Sequence, residues 1–381
     1  MFNKSKFFCD KILCFVILIF SLEGCVALQP VRVGLTAELS GKQSELSLNL
    51  RNGVQLAVDD LNTAGGINGR KIELLAEDDF GNPAGAQKAE NKLVDSGVVA
   101  VIGHLTSNQT LAGYEVTQSR GVLLFSATAS TSLLSGKKDL FFRTVAATDA
   151  MGRGMAQYIH NQRGFSKIGI IYDQDNNTYS DPLVEAFSQT LNRLGGNVTA
   201  LVKFSGAEKT VFSALVDGLK SSNPECVFII ASPANTALIA QAIRLKSWDT
   251  ALFSSSWGQG ESLIQDGGKA VEGLELLIGF DVNDPSPELQ AFKKNYEKRF
   301  ARPAVFSAME GYETMQMLTV ALKKTAGEAK GLPEGLLALR DFQGLTGTIH
   351  MDEYGDAVRP LTIQKVGAGK FETIEKVKLD P

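Results

Sequence analysis

The chain has 381 residues, 44% of them apolar and 21% charged, which is the composition of a folded globular protein at a length that suits two domains. Lys and Arg number 38 against 42 Asp and Glu, a net charge of −4 with no basic stripe, so nucleic acid is excluded as a partner class. The three His (His104, His160, His350) and four Cys are dispersed and form none of the paired spacings that hold zinc, so no metal and no cofactor is expected.

The first 24 residues read as an export signal. Lys4, Lys6 and Lys11 precede an unbroken apolar run, Ile12 to Phe20. That run is shorter than the ~20 residues a membrane-spanning helix needs and suits a signal sequence. Leu22-Glu23-Gly24-Cys25 resembles a bacterial lipobox, in which Cys25 carries lipid and tethers a soluble body to the membrane surface. A cleaved, soluble signal peptide is the alternative. Cys9 and Cys14 leave with the signal and Cys25 is used for lipid. Cys226 is then alone on an apolar run and reads as a buried, inert thiol.

Strand and helix alternate from there. Val31 to Thr36 is a strand, and Asn49 to Leu61 a helix with Leu50, Val54, Ala57, Val58 and Leu61 on one face. Gly65-Gly66 ends that helix and Ile72 to Leu75 is the next strand. Asn82 caps a helix with Pro83 in its first turn. Val98 to Ile102 and Gly121 to Phe125 are apolar throughout, as parallel strands buried on both faces are. A second set follows Arg143, with helices at Met151 to Gln162, Asp181 to Leu194, Val211 to Lys220 and Ala234 to Leu245. Its strands are Ile168 to Tyr172, Val198 to Phe204, Val227 to Ile230 and Leu252 to Ser254. This spacing predicts right-handed βαβ units, and two such sets predict two doubly wound α/β lobes. Beyond Asp281 come helices at Glu288 to Phe300 and Phe306 to Lys324, a turn at Met351 to Asp356 and a strand from Leu361 to Val366. That tail is too short for a domain of its own, so it completes the two lobes.

Catalytic signatures are missing. No GxGxxG follows a strand, no GxxxxGK[ST] occurs and no GxSxG elbow exists. His104 reads as structural, because nothing near it in sequence completes a triad. Ligands of open α/β sheets sit outside the carboxyl ends of the strands. Two hydroxyl-rich loops occur there, Gly103-His104-Leu105-Thr106-Ser107 and Ser126-Ala127-Thr128-Ala129-Ser130. The first leads into a helix near Asn108 that Ser107 can cap, with free N–H groups that suit a carboxylate. Two ordinary capped loops are the alternative.

The chain resembles the leucine/isoleucine/valine-binding protein family, the extracytoplasmic substrate-binding proteins of branched-chain amino acid ABC transporters. The matching stretches are Leu39 to Gly41, Asn52 to Asp60, Ala64-Gly65-Gly66-Ile67-Asn68-Gly69-Arg70-Lys71-Ile72, Glu77 to Asp79, Lys92 to Val94 and Val101 to His104. They continue through Ser126 to Thr128, Phe142 to Thr144, Ile170 to Asp173, Gly311-Tyr312 and Asp352 to Asp356. The resemblance implies a type I periplasmic-binding fold whose two lobes are joined by a three-crossing hinge. Lobe 1 is then 30–148 and 281–355, and lobe 2 is 149–280 and 356–381.

The resemblance also assigns roles. Ser107 holds a ligand carboxylate, flanked by Leu105 and Thr106. Ser126 offers a carbonyl to an ammonium, beside Ala127, while Thr128 touches both ligand groups and Tyr179 covers the ligand. Trp257 stands where amino-acid-binding members place an acidic residue, Leu46 where many have a tyrosine, Pro233 near a further tyrosine position and Thr106 at a disulfide position. The carboxylate clamp is kept while the side-chain pocket and ammonium partner are rewritten, with Glu38 or Glu313 as substitute acids and Trp257 as a cation-holding or stacking face. The expectation is a non-enzymatic receptor, exported to the periplasm or cell surface. It takes a small carboxylate, foremost an amino acid, passes it to an ABC transporter permease, and meets the membrane through a lipid anchor only. A sensing subunit for an amide, urea or aromatic acid on the same fold is the alternative.

Overall fold

A computed structural model describes residues 28–41, 44–206 and 210–377. The signal segment and Cys25 lie outside the described residues. Among those described, no helix is long and apolar enough to cross a membrane.

The first half folds as β1 (Val31–Ala37), α1 (Ser44–Thr63), β2 (Ile72–Asp78), α2 (Pro83–Asp95), β3 (Ala100–Gly103), α3 (Ser107–Arg120), β4 (Leu123–Ser126) and β5 (Phe141–Arg143). Its five strands form one parallel sheet in the order β2-β1-β3-β4-β5. β3 and β4 are buried at every position, which is why their sequence shows no alternation. Asn82 caps α2 with its side-chain oxygen on the Gly85 N–H at 2.9 Å, and Pro83 occupies the first turn. Gly121, at φ 67°, closes α3 in the left-handed region.

The second set comprises α4 (Thr148–Gln157), β6 (Lys167–Asp173), α5 (Asn177–Arg193), β7 (Asn197–Phe204), α6 (Phe212–Ser221), β8 (Cys226–Ile230), α7 (Pro233–Leu245), β9 (Ala251–Ser255), α8 (Glu261–Gly267) and β10 (Glu275–Ile278). α9 (Pro287–Phe300), α10 (Phe306–Lys324) and α11 (Leu332–Leu337) follow. α10 packs on α1 of the first sheet's layer. β11 (Asp341–Gly344), β12 (Gly347–Met351) and β13 (Ala357–Val358) make a small antiparallel sheet. β14 (Leu361–Gly367) and β15 (Lys370–Val377) then return to the second sheet, whose order is β15-β14-β10-β9-β8-β6-β7. Within it β14 and β15 are antiparallel and the remaining pairs parallel.

The chain therefore passes between the sheets three times: after β5, after β10 and before β14. Arg359 meets all three passages. It lies on the third, donates to the Thr144 carbonyl of the first at 3.4 Å, and stacks 5.1 Å from the Phe280 ring of the second. Its charge is paired with Glu313 of α10 at 3.0 Å, with both side chains buried. The acidic turn predicted at Met351 to Asp356 is a hairpin turn, in which Asp352 Oδ1 accepts from the Tyr354 and Asp356 N–H groups.

Candidate functional site

The two hydroxyl-rich loops lie at the carboxyl ends of β3 and β4 and face the second set of elements across a cleft. Leu105, Thr106, Ser107 and Thr128 line one wall of a cavity with Leu46 of α1 and Phe306 of α10. Asn176, Tyr179, Ser256 and Trp257 form the opposite wall. The cavity is narrow, with a volume of about 30 Å³.

The geometry at the start of α3 differs from a simple cap. The helix begins at Ser107 itself and Thr106 is the N-cap residue, yet neither hydroxyl caps it. Ser107 Oγ and Thr106 Oγ1 are buried, at 1% and 6% exposure, and have no hydrogen-bond partner. Buried hydroxyls are nearly always paired, so two unpartnered hydroxyls side by side on this wall are suited to donate to an acceptor in the cavity. Thr128 lines the same cavity with its proton committed to the Leu105 carbonyl at 2.7 Å, which leaves its oxygen as an acceptor.

The facing wall is aromatic. Tyr179 lies in the first turn of α5 and meets Trp257 edge to face, ring centroids 5.7 Å apart at 77°. Trp257 is 8% exposed on a short 3₁₀ turn after β9. Burial pushes the Tyr179 phenol up, and its hydroxyl lies 3.5 Å from Ser256 Oγ. None of the described lining residues is a carboxylate or a cation.

Ser126 and Ala127 do not line the cavity; they support it. The Ser126 hydroxyl accepts from the Ala129 N–H, and its carbonyl accepts from the Thr144 N–H at 3.1 Å. Glu313 is not in the cleft either: its carboxylate is spent on Arg359 and on the Leu345 N–H at 2.6 Å. Its expected role as an ammonium partner fails because a carboxylate that neutralises a buried arginine is not free to turn. Glu38 lies closer, in an adjoining cavity of about 340 Å³ that shares Thr106, Asn176 and Trp257 with the first and also carries Asp173 and Asp175. Asn176, Ser256 and Phe306 were not found from sequence. Each is one polar or apolar residue in an ordinary context, and only the fold brings them to the cavity.

Polar contacts cross the cleft. Asn108, next to Ser107, donates its N–H to Asn176 Oδ1 at 3.1 Å and its amide to the Asp175 carbonyl at 2.7 Å, and its Oδ1 accepts from the Thr178 N–H and hydroxyl. Glu45 of α1 accepts from the Glu261 N–H and the Ser262 hydroxyl of α8, each at 2.7 Å. Cys226 is fully buried with its thiol pKa pushed up, first by burial, so it is unreactive.

A family model described as "Periplasmic binding protein" matches residues 30–370. The Leu/Ile/Val-binding protein homolog 1 of Brucella abortus is 26% identical over 353 residues, covering 91% of this chain and 94% of that protein. A crystal structure of a leucine-binding protein from Thermotoga maritima superposes with a TM-score of 0.85 at 23% identity, covering 91% of this chain and 98% of its own. A solute-binding protein of an R. palustris ABC transporter, solved with benzoate, superposes with a TM-score of 0.83 at 19% identity, covering 92% and 98%.

Proposed function

Because the chain belongs to the periplasmic binding protein family, we propose that it is an exported receptor that captures a small carboxylate-bearing solute between its lobes and presents it to the permease of an ABC importer. The observation that carries this reading is the pair of buried, unpartnered hydroxyls, Ser107 Oγ and Thr106 Oγ1, at the N-terminus of α3. A carboxylate seated there receives charge-assisted hydrogen bonds and the helix dipole, the latter worth ~0.3–1 kcal/mol. The apolar and aromatic remainder of the cavity takes the ligand's body. Contacts to both walls favour the closed arrangement, which is how binding is signalled to a transporter. Binding without chemistry is the proposed activity.

An amino acid is the first ligand class, with the Thr128 oxygen available to its ammonium. An aromatic acid is the second, favoured by Tyr179, Trp257 and Phe306 and by the lack of a carboxylate among the described lining residues. Thermal-shift measurements with leucine, isoleucine, valine, benzoate and 4-hydroxybenzoate separate them, since ligand at 100 times Kd adds ~2.7 kcal/mol of stability. Stabilisation by the aliphatic amino acids alone supports the first class and by the benzoates alone the second; no shift with any of them removes the carboxylate reading. A lipid tether at Cys25 is part of the proposal. Cys25→Ser should move the protein from the membrane to the soluble fraction with its affinity unchanged, and wild-type protein without a lipid mass by spectrometry would refute the tether.

A further inference from the structure

Behind the loop that carries Ser107 lies a charged cluster that ligand binding does not use. His104 is fully buried, with Nδ1 2.7 Å from Asp79 Oδ2 and Nε2 3.1 Å from Glu90 Oε1, and both carboxylates are as buried as the ring. Asp79 comes from the turn after β2 and Glu90 from α2. β1 adds Thr36, whose hydroxyl donates to Glu90 Oε1 at 3.0 Å. α3 adds Gly113, where a Cβ would stand 2.3 Å from Nε2. Thr36 and Gly113 do not titrate, so Asp79 and Glu90 are the ionisable groups that face the ring among the described residues. Nδ1 is hydrogen-bonded to Asp79, while Nε2 lies 3.1 Å from Glu90 Oε1 without a hydrogen bond, so Asp79 holds the ring by a bond and Glu90 by proximity of charge. Burial opposes the charge, but the Asp79 hydrogen bond and the two carboxylates beside the ring outweigh it and raise the pKa to about 9.

The backbone next to the ring continues into the cavity wall. The His104 N–H donates to Thr110 Oγ1 at 3.3 Å, and that hydroxyl donates to the Thr106 carbonyl at 2.8 Å. Thr128 donates to the Leu105 carbonyl at 2.7 Å and lies 3.2 Å from the His104 carbonyl. We infer that His104 is a positioning residue: clamped as a cation between Asp79 and Glu90, it fixes the loop Leu105–Ser107 and so sets ligand affinity without lining the cavity. The link to affinity rests on the receptor reading; the loop's dependence on His104 does not.

Hydrogen exchange by mass spectrometry on the ligand-free full chain tests this. His104→Gln should speed exchange of the peptide over residues 104–108 by at least about tenfold while peptides of β8 keep wild-type rates. In the wild type, loop protection corrected for intrinsic exchange should fall as pH rises through about 9. In Glu90→Gln, which removes one counter-charge, that fall should move to lower pH; in His104→Gln it should be absent. Uniform acceleration of all peptides, or a Glu90→Gln profile that coincides with wild type, would overturn the inference. Should His104→Gln fail to fold, the Glu90→Gln profile decides alone. With L-leucine or benzoate as the probe, whichever binds wild type, His104→Gln should weaken binding at least about tenfold at pH 7. If neither probe binds, the receptor reading falls and the exchange profiles still decide the loop's dependence on His104.

Discussion

The Ser107 hydroxyl is bonded to nothing in the protein, so its loss should act on ligand and not on folding. Ser107→Ala should remove a charge-assisted hydrogen bond worth ~1.5–3 kcal/mol, a tenfold to hundredfold loss by the factor of ten per ~1.4 kcal/mol. Calorimetry should show it while the melting temperature stays at the wild-type value. Glu313 is the opposite case. Glu313→Gln leaves Arg359 buried without its counter-charge, which costs ~3–5 kcal/mol when a buried pair is broken, and should leave affinity unchanged. The urea midpoint and calorimetry check both halves. One turn earlier on α10, the Glu310 carboxyl is pushed up to about 8, first by burial and then by Glu313, with Arg359 opposing. A raised folded pKa contributes stability that is present below the ordinary carboxyl value of 4.5 and lost as pH rises through about 8. Glu310→Gln should flatten that decline in the urea midpoint. Ser107 and Thr128 were legible from their loops at strand ends, whereas Tyr179 and Trp257 came only through the family resemblance; all four line the cavity. Sequence misread Glu313, since the residue that claims it, Arg359, is remote in the chain and belongs to another passage between the lobes.

At the scale of elements, α1 and α10 touch through backbone. A Cβ on Gly53 would lie 1.9 Å from the Ala308 carbonyl oxygen, and one on Gly311 would lie 2.7 Å from the Leu50 carbonyl oxygen. Gly53→Ala must push the helices apart, costing ~1–3 kcal/mol as overpacking does. Because α10 begins with Phe306 on the cavity wall, ligand affinity should fall as well. A variant that keeps both melting temperature and affinity would contradict the close crossing. The long helices were legible from their periodicity, and Phe306–Lys324 is found at its expected limits. α5 starts earlier than expected, at Asn177, because Pro182 lies inside the helix rather than in its first turn. β5 and β10 escaped notice because three- and four-residue buried strands leave no period to read. The small sheet β11-β12-β13 and β15 are partly exposed with weak apolar content, so their pairing is a property of the fold and not of local sequence.

Across the cleft, the contacts of Asn108 and Glu45 join the two sets of elements directly. Glu45 does not line the cavity, so it separates closure from binding. Glu45→Ala should enlarge the ligand-free radius of gyration by small-angle scattering and weaken binding by up to about tenfold, as the competent population shrinks. An unchanged radius would mean that the Glu45 contact follows closure and does not favour it. The return of β14 and β15 to the second sheet has a consequence of another kind, for the order of manufacture. β10 must await β14, whose Leu361 and Ile363 are fully buried, until α9, α10, α11 and the small sheet have all been made. During synthesis the second lobe therefore carries an open sheet edge, a template for pairing with other chains. Deleting Leu361–Val377 should yield insoluble material instead of a receptor with a shorter tail, and the partition between soluble and pelleted protein after expression measures it.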